Sequence, residues 1–226
     1  MWMIEIPPFV PFFIGALIIA FTRGSLRAAL MVAVPIISAL HLWMVPEGIH
    51  LHFTFFDYQL MPYRVDKLSI MFGYVFHIAA LIGIIYSLHL RDTMQQVAAM
   101  LYAGSALGAV FAGDLLTLFV FWELLAFTSV LLIWARRTQR AYMAGMRYLI
   151  IQVLSGVILL AGTLLYAGKH HTLAFGYIGL DGVGSWLIFI AFGIKCAFPF
   201  AHNWLTDAYP EATVTGTVFL SAFTTK

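Results

Sequence analysis

Charge is scarce in this sequence. Its 226 residues hold 12 Lys or Arg and 10 Asp or Glu, 10% charged where a soluble domain carries about 25%. With 62% hydrophobic residues and a mean hydropathy of +0.94, this excludes a soluble globular domain and marks an integral membrane protein. A net charge of +2 leaves no basic stripe for a nucleic acid. The single cysteine, Cys196, excludes an internal disulfide. Alternating segments of about ten residues, the mark of barrel strands, are missing, so the spanning structure must be helical. The opening MWMIEIPP lacks the basic region of a cleavable signal peptide. His170–His171 has no companions to complete a metal cluster. Neither a glycine-rich nucleotide loop nor a nucleophile constellation is found, so no cofactor, metal or catalytic site of its own is expected.

What the sequence does contain is apolar helix. Eight stretches can be marked: 6–21, 26–45, 68–90, 94–111, 115–134, 143–167, 186–200 and 214 to the end. Pro7, Pro8 and Pro11 stand at the entrance of the first, where a missing N–H matters least. The long connection 46–66 contains HLHFTFFDYQL, whose alternation predicts a short external hairpin. Placing the N-terminus outside gathers Arg23, Arg27, Arg91, Arg136, Arg137, Arg140 and Arg147 on the cytoplasmic side, seven against Arg64, Lys67 and Lys169 opposite. That bias follows the positive-inside rule and predicts a multi-pass protein of the inner (plasma) membrane.

The residues that could carry chemistry are the charges inside these stretches. In Gly113–Ile133, GDLLTLFVFWELLAFTSVLLI, Glu123 falls near the bilayer midplane. Such an acid needs an interior setting and a partner, and marks a proton or ion relay; the alternative is a protonated, hydrogen-bonded packing residue. Lys195 in FIAFGIKCAFPFAHNW sits at similar depth and is the evident partner. Pro199 has no N–H for the carbonyl of Lys195, so the helix should bend or break beside the lysine. Broken helices at membrane depth line transport sites. His202 would share a face with Lys195 on an unbroken helix, where it could relay a proton; alternatively it only caps the helix end. Lys226 closes the sequence inside the last stretch, near mid-depth. Around it Thr213, Thr215, Thr217, Ser221, Thr224 and Thr225 suggest a wetted wall, though small polar residues also pack helices. Arg147 reads as structural and able to snorkel, and His41 and His77 as packing histidines.

GDLLTLFVFWE, a basic residue before Tyr148, GIKCAFPFAHNWLTDAYPEA, LSAFTTK and the VDKLS that opens the third helix occur in this sequence. Together they resemble the proton-conducting antiporter-type subunits. These are the large membrane-arm subunits of respiratory complex I and the antiporter subunits of Mrp-type Na+/H+ exchangers. DAYPEATVTGTVFLSAFTTK is most similar to the D branch of the Mrp antiporter subunits. The resemblance implies that Glu123 is the fifth-helix glutamate, Lys195 the lysine of the broken seventh helix and Lys226 the eighth-helix lysine. His202, Trp204, Leu205, Asp207 and Ala208 match the loop after helix seven. Thr206 departs from a frequent proline and Tyr209 from a frequent histidine. Members of this family have about fourteen helices with an inverted repeat; by this likeness the chain corresponds to an N-terminal half that stops in helix eight, so either a second polypeptide supplies the other half or, more simply, the product is truncated. The expected fold is all-α and polytopic, with helices 1–3 in residues 1–93 and a first half-channel, helices 4–8, in residues 94–226. The resemblance also implies partners: the lipid bilayer, other subunits of an antiporter or complex I-like assembly, protons and a monovalent cation. The function it implies is cation/proton antiport, with a redox-linked proton pump or a non-transporting scaffold as alternatives.

Overall fold

Capping side chains and prolines cut the apolar sequence into separate helices. The computed structural model describes residues 6–224, and among them lie nine α-helices and one β-hairpin. Helices α2 (Gly24–Trp43), α3 (Lys67–Ser87), α4 (Thr93–Phe111), α5 (Leu115–Trp134) and α6 (Gln139–His170) are each long and apolar enough to cross a bilayer. Three apolar helices are shorter: α1 (Val10–Phe21), α7 (Val183–Lys195) and α9 (Val214–Phe223). Between α7 and α9 run the short α8 (Asn203–Ala208) and a 3-10 turn, Tyr209–Glu211. The architecture is the all-α polytopic bundle with an interrupted seventh helix.

Local chemistry explains where the helices start. Asp92, Asp114, Thr138 and Thr213 cap α4, α5, α6 and α9 through their side chains. The VDKLS segment is a capping box: Ser69 N–H donates to Asp66 Oδ1 at 2.8 Å, and Asp66 N–H donates to Ser69 Oγ at 2.8 Å. Partial burial alone would raise the Asp66 carboxyl, but the hydrogen bonds from Ser69 and the nearby Arg64 charge hold it below the usual carboxylate range.

Helix α4 occupies the middle of the bundle, touching α1, α3, α5 and α9. Its run of Ala98, Ala99, Ala103, Gly104, Ser105, Ala106 and Gly108 is buried throughout; small side chains let neighbouring backbones approach, as packing between helices in lipid requires. Large apolar residues such as Leu17, Ile37, Ile82, Val120 and Leu164 remain exposed on the outer helices.

The two ends of the bundle differ. At one end β1 (Gly48–Phe55) and β2 (Tyr58–Val65) form the antiparallel hairpin. Asp114, fully buried, ties it down: its carboxylate accepts from Met61 N–H at 2.7 Å, Thr117 N–H at 2.7 Å and Thr117 Oγ1 at 2.7 Å. Gly113 and Leu115 add backbone bonds to Met61 and Leu173. At the other end arginines anchor the turns. Arg137 pairs with Asp92 at 3.0 Å and Arg140 with Glu211 at 2.9 Å. Arg147 grips Asp207 with two bonds of 2.7 and 2.8 Å, so it is a fixed clasp between α6 and α8 rather than a free snorkelling tail.

Candidate functional site

Helices α5, α6 and α7 pack side by side and hold the buried charges. Counted at ~1.5 Å per residue from the hairpin end, Glu123 lies about 12 Å along α5 and Lys195 about 18 Å along α7. Both are therefore well inside a hydrocarbon core of roughly 30 Å. Lys195 is 6% exposed.

Glu123 and Lys195 are expected within salt-bridge or single-water distance of each other; the direct contact is not made, since no salt bridge within 4.0 Å joins them among the described residues. The indole of Trp122 takes the lysine instead. It bridges the neighbouring helices: Nε1 donates to Ser155 Oγ on α6 at 3.0 Å, while the ring packs edge-on to Phe192 of α7 at 5.0 Å and the Lys195 ammonium stands 4.9 Å above its centre. That is a cation–π contact. Glu123 turns to α6 and fits its carboxylate into the notch left by Gly156, where a Cβ would overlap Oε1 and lie 2.8 Å from Cδ.

Around these groups the buried polar atoms are incompletely paired. Glu123 Oε1, Lys195 Nζ, Thr163 Oγ1 and both amide atoms of Gln152 are buried and lack a hydrogen-bond partner among the described residues. Gln152, Ser155, Gly156, Leu159 and Thr163 lie at helical spacing on one buried face of α6. Ser155 is committed: it accepts from Trp122 Nε1 at 3.0 Å and donates to the Gln152 carbonyl at 2.6 Å. Native buried polar groups are nearly always hydrogen-bonded, to protein or to ordered water. Ordered water is the partner such a set can take.

Helix α7 stops at Lys195 in a Schellman motif. Phe198 N–H donates to the Gly193 carbonyl at 2.9 Å and Ala197 N–H to that of Ile194 at 3.1 Å. Ala197 takes the left-handed conformation, φ 56°, usually left to glycine, and the Phe198 ring lies on Gly193. Pro199 follows and cannot resume the helix. Trp204 Nε1 donates to the Ile194 carbonyl at 3.0 Å, holding the break closed against α8.

The chain between Lys195 and His202 is not helical, so the shared-face spacing does not apply. His202 is exposed at the start of α8, and its side chain makes no capping bond. Lys226 and Thr225 lie outside the described residues. Three of the α9 hydroxyls serve packing. Buried Thr215 bonds to Gln95 and buried Thr224 to Tyr102, while Thr217 bonds to the Tyr209 and Thr213 carbonyls at 3.0 and 3.1 Å. His77 is a packing histidine, held by the Gly73 carbonyl at 2.6 Å and Ser38 Oγ at 2.8 Å.

A cavity of about 520 Å³ runs between α3, α4, α5, α7 and α9. Arg64 and Asp66 stand at its hairpin end, Trp122 and Lys195 in its wall, and Phe72 and Thr224 along it. Of the residues gathered here, Gln152 had a signal in the sequence, an amide in the middle of an apolar helix. Gly156 had none, because a notch exists only against what fills it.

Known proteins are similar in sequence and fold. A family profile described as "NADH:quinone oxidoreductase/Mrp antiporter, TM" matches residues 112–226. NADH-quinone oxidoreductase subunit N of Deinococcus radiodurans is 27% identical over 179 residues, 70% of this chain and 36% of that protein. The A-type subunit of the Na(+)/H(+) antiporter of Alkalihalophilus pseudofirmus is 31% identical over 168 residues, 66% of this chain and 21% of that protein. A chain of an archaeal membrane-bound sulfane sulfur reductase superposes with a TM-score of 0.81 at 20% identity, covering 99% of this chain and 50% of that one. The chain thus spans 36% and 21% of the length of these two curated relatives.

Proposed function

Because the chain belongs to the NADH:quinone oxidoreductase/Mrp antiporter membrane family, we propose that it supplies a proton half-channel to a multisubunit monovalent cation/proton antiporter. The observation that carries this reading is the orphaned polar set, Glu123 Oε1, Lys195 Nζ, the Gln152 amide and Thr163 Oγ1, where α5, α6 and α7 meet. A half-buried acid and a buried base without protein partners take protons or water instead. The step available to them is transfer between the Glu123 carboxyl and the Lys195 amine through water along the α6 face. The cavity that ends at Arg64 and Asp66 supports access from the hairpin side, and Trp122 holds the lysine at the inner end of that route. In this reading residues 94–226 form the half-channel, with Lys226 continuing it and His202 receiving the proton at the arginine-rich end. The N-terminus is outside, the membrane is the plasma membrane, and the partners are the other subunits of the assembly.

The match to an NADH-quinone oxidoreductase protein favours a second reading, a proton pump driven by a redox module, which the same residues would serve. Cation-driven proton flux in everted vesicles carrying the full complex tests both. Lys195→Ala should abolish coupled flux while a native gel still shows the assembly, and Lys195→Arg should impair it because arginine keeps its proton. Undiminished flux in the alanine variant removes Lys195 from the mechanism. Flux that appears only with an electron donor, and never with a cation gradient, selects the redox reading.

A further inference from the structure

Away from the buried charges, the turn between α1 and α2 meets the turn between α3 and α4 around a second cavity. It measures about 820 Å³ and is lined by Arg23, Arg27, His89, Arg91, Thr93 and Gln96, among others. We propose that this cavity binds the headgroup of an anionic phospholipid.

Charge comes first. Three arginines line it, and among the described residues no carboxylate lies within 4.0 Å of any of them. The nearby acid, Asp92, is already committed to Arg137 at 3.0 Å and to Met94 N–H at 3.1 Å. Order comes second. Arg27 is pinned by bonds to the Thr22 carbonyl at 2.8 Å, Thr93 Oγ1 at 2.6 Å and Gln96 Oε1 at 3.2 Å. Gln96 is in turn fixed by its bond to the Leu90 carbonyl at 2.9 Å. The floor of the cavity is thus a held cation, while Arg23 and Arg91 remain to close on a ligand. Position comes third. The cavity opens at the ends of spanning helices, the depth at which basic clusters meet lipid phosphates. Phe21, Leu26, Ile85 and Tyr86 beside it are 83, 60, 53 and 48% exposed, which gives acyl chains apolar helix surface to follow. A free phosphate would use the arginines and leave these residues unused; an amphiphile uses both.

The test is the complex purified with this chain, exchanged into phosphatidylcholine nanodiscs with a minor fraction of phosphatidylglycerol, with retained lipid counted by mass spectrometry. Phosphatidylglycerol should be enriched on the wild type, and Arg23→Gln/Arg91→Gln should lower its retention roughly thirty-fold. Arg23→Lys/Arg91→Lys should keep most of it, because the charge survives. Should the double glutamine variant fail to assemble, Arg91→Gln alone should show an intermediate loss. Equal retention in the glutamine variants, equal retention of phosphatidylcholine, or displacement by millimolar inorganic phosphate would each overturn the proposal. So would an assembled complex that retains no lipid because a neighbouring protein of the assembly fills the cavity.

Discussion

Substituting Gly156 by alanine separates the position of Glu123 from the stability of the helix that positions it. The new Cβ would overlap Glu123 Oε1 and stand 2.8 Å from Cδ, with Trp122 Cδ1 next at 3.4 Å. What it meets is the far end of a flexible side chain, so the carboxylate can swing away without moving backbone. Overpacking of this kind costs about 1 kcal/mol, the low end of its range. Replacing a mid-helix glycine by alanine returns roughly 0.5–1 kcal/mol, so the net change in stability should be close to zero. Yet the carboxyl leaves its notch on α6 and the row that includes Gln152. Coupled proton flux should therefore fall on the order of tenfold or more, since misplacing a reacting group by ~1 Å already costs about 10²-fold. The measurement is flux in everted vesicles alongside thermal unfolding of the purified complex. Gly162→Ala serves as contrast, because its Cβ would press at 2.8 Å on the Gly184 carbonyl oxygen and at 2.8 Å on the Ile188 nitrogen. Backbone cannot yield there, so that variant should lose stability and assembly together. Full flux in Gly156→Ala, with unchanged melting, would refute the notch as a functional feature.

Asp114→Ala should destabilise the protein by about 2–4 kcal/mol. It removes an N-cap worth ~1 kcal/mol and strands the Met61 N–H, a partly buried donor that costs ~1–3 kcal/mol unpaired. Loss of hydrogen-exchange protection in β2 would accompany this, and a melting temperature equal to wild type would count against the tie. The Arg147 hydrogen bonds and charge hold the Asp207 carboxyl below its ordinary range. The stabilisation from that pair is therefore full above the usual carboxylate range and lost as pH falls through the lowered value. Because the two side chains are 53 and 40% exposed, water screens the pair and the effect is small. Asp207→Asn should slightly flatten the acid limb of melting temperature against pH, and an unchanged limb would sink the assignment.

The membrane class, the eight apolar helices and the interruption of the seventh were legible in the sequence, because each rests on local rules. Scarce charge and long apolar runs define spans, acids and threonines mark helix starts, and Pro199 cannot bond the Lys195 carbonyl, so the helix must bend or break there. The alternation in residues 50–60 likewise read out as the hairpin. Even the identities of Glu123 and Lys195 were visible, since any charge inside such a run stands out. What they touch was not. The Trp122 indole reaches both α6 and α7, and the Glu123 carboxylate enters the Gly156 notch, because of where those helices lie around α5. The lysine stands over an indole and the carboxylate in a glycine notch rather than in direct contact, and His202 left the shared face once the helix ended. Azimuth is fixed by which helices pack together, through contacts between residues far apart in the chain, and that only the tertiary structure decided.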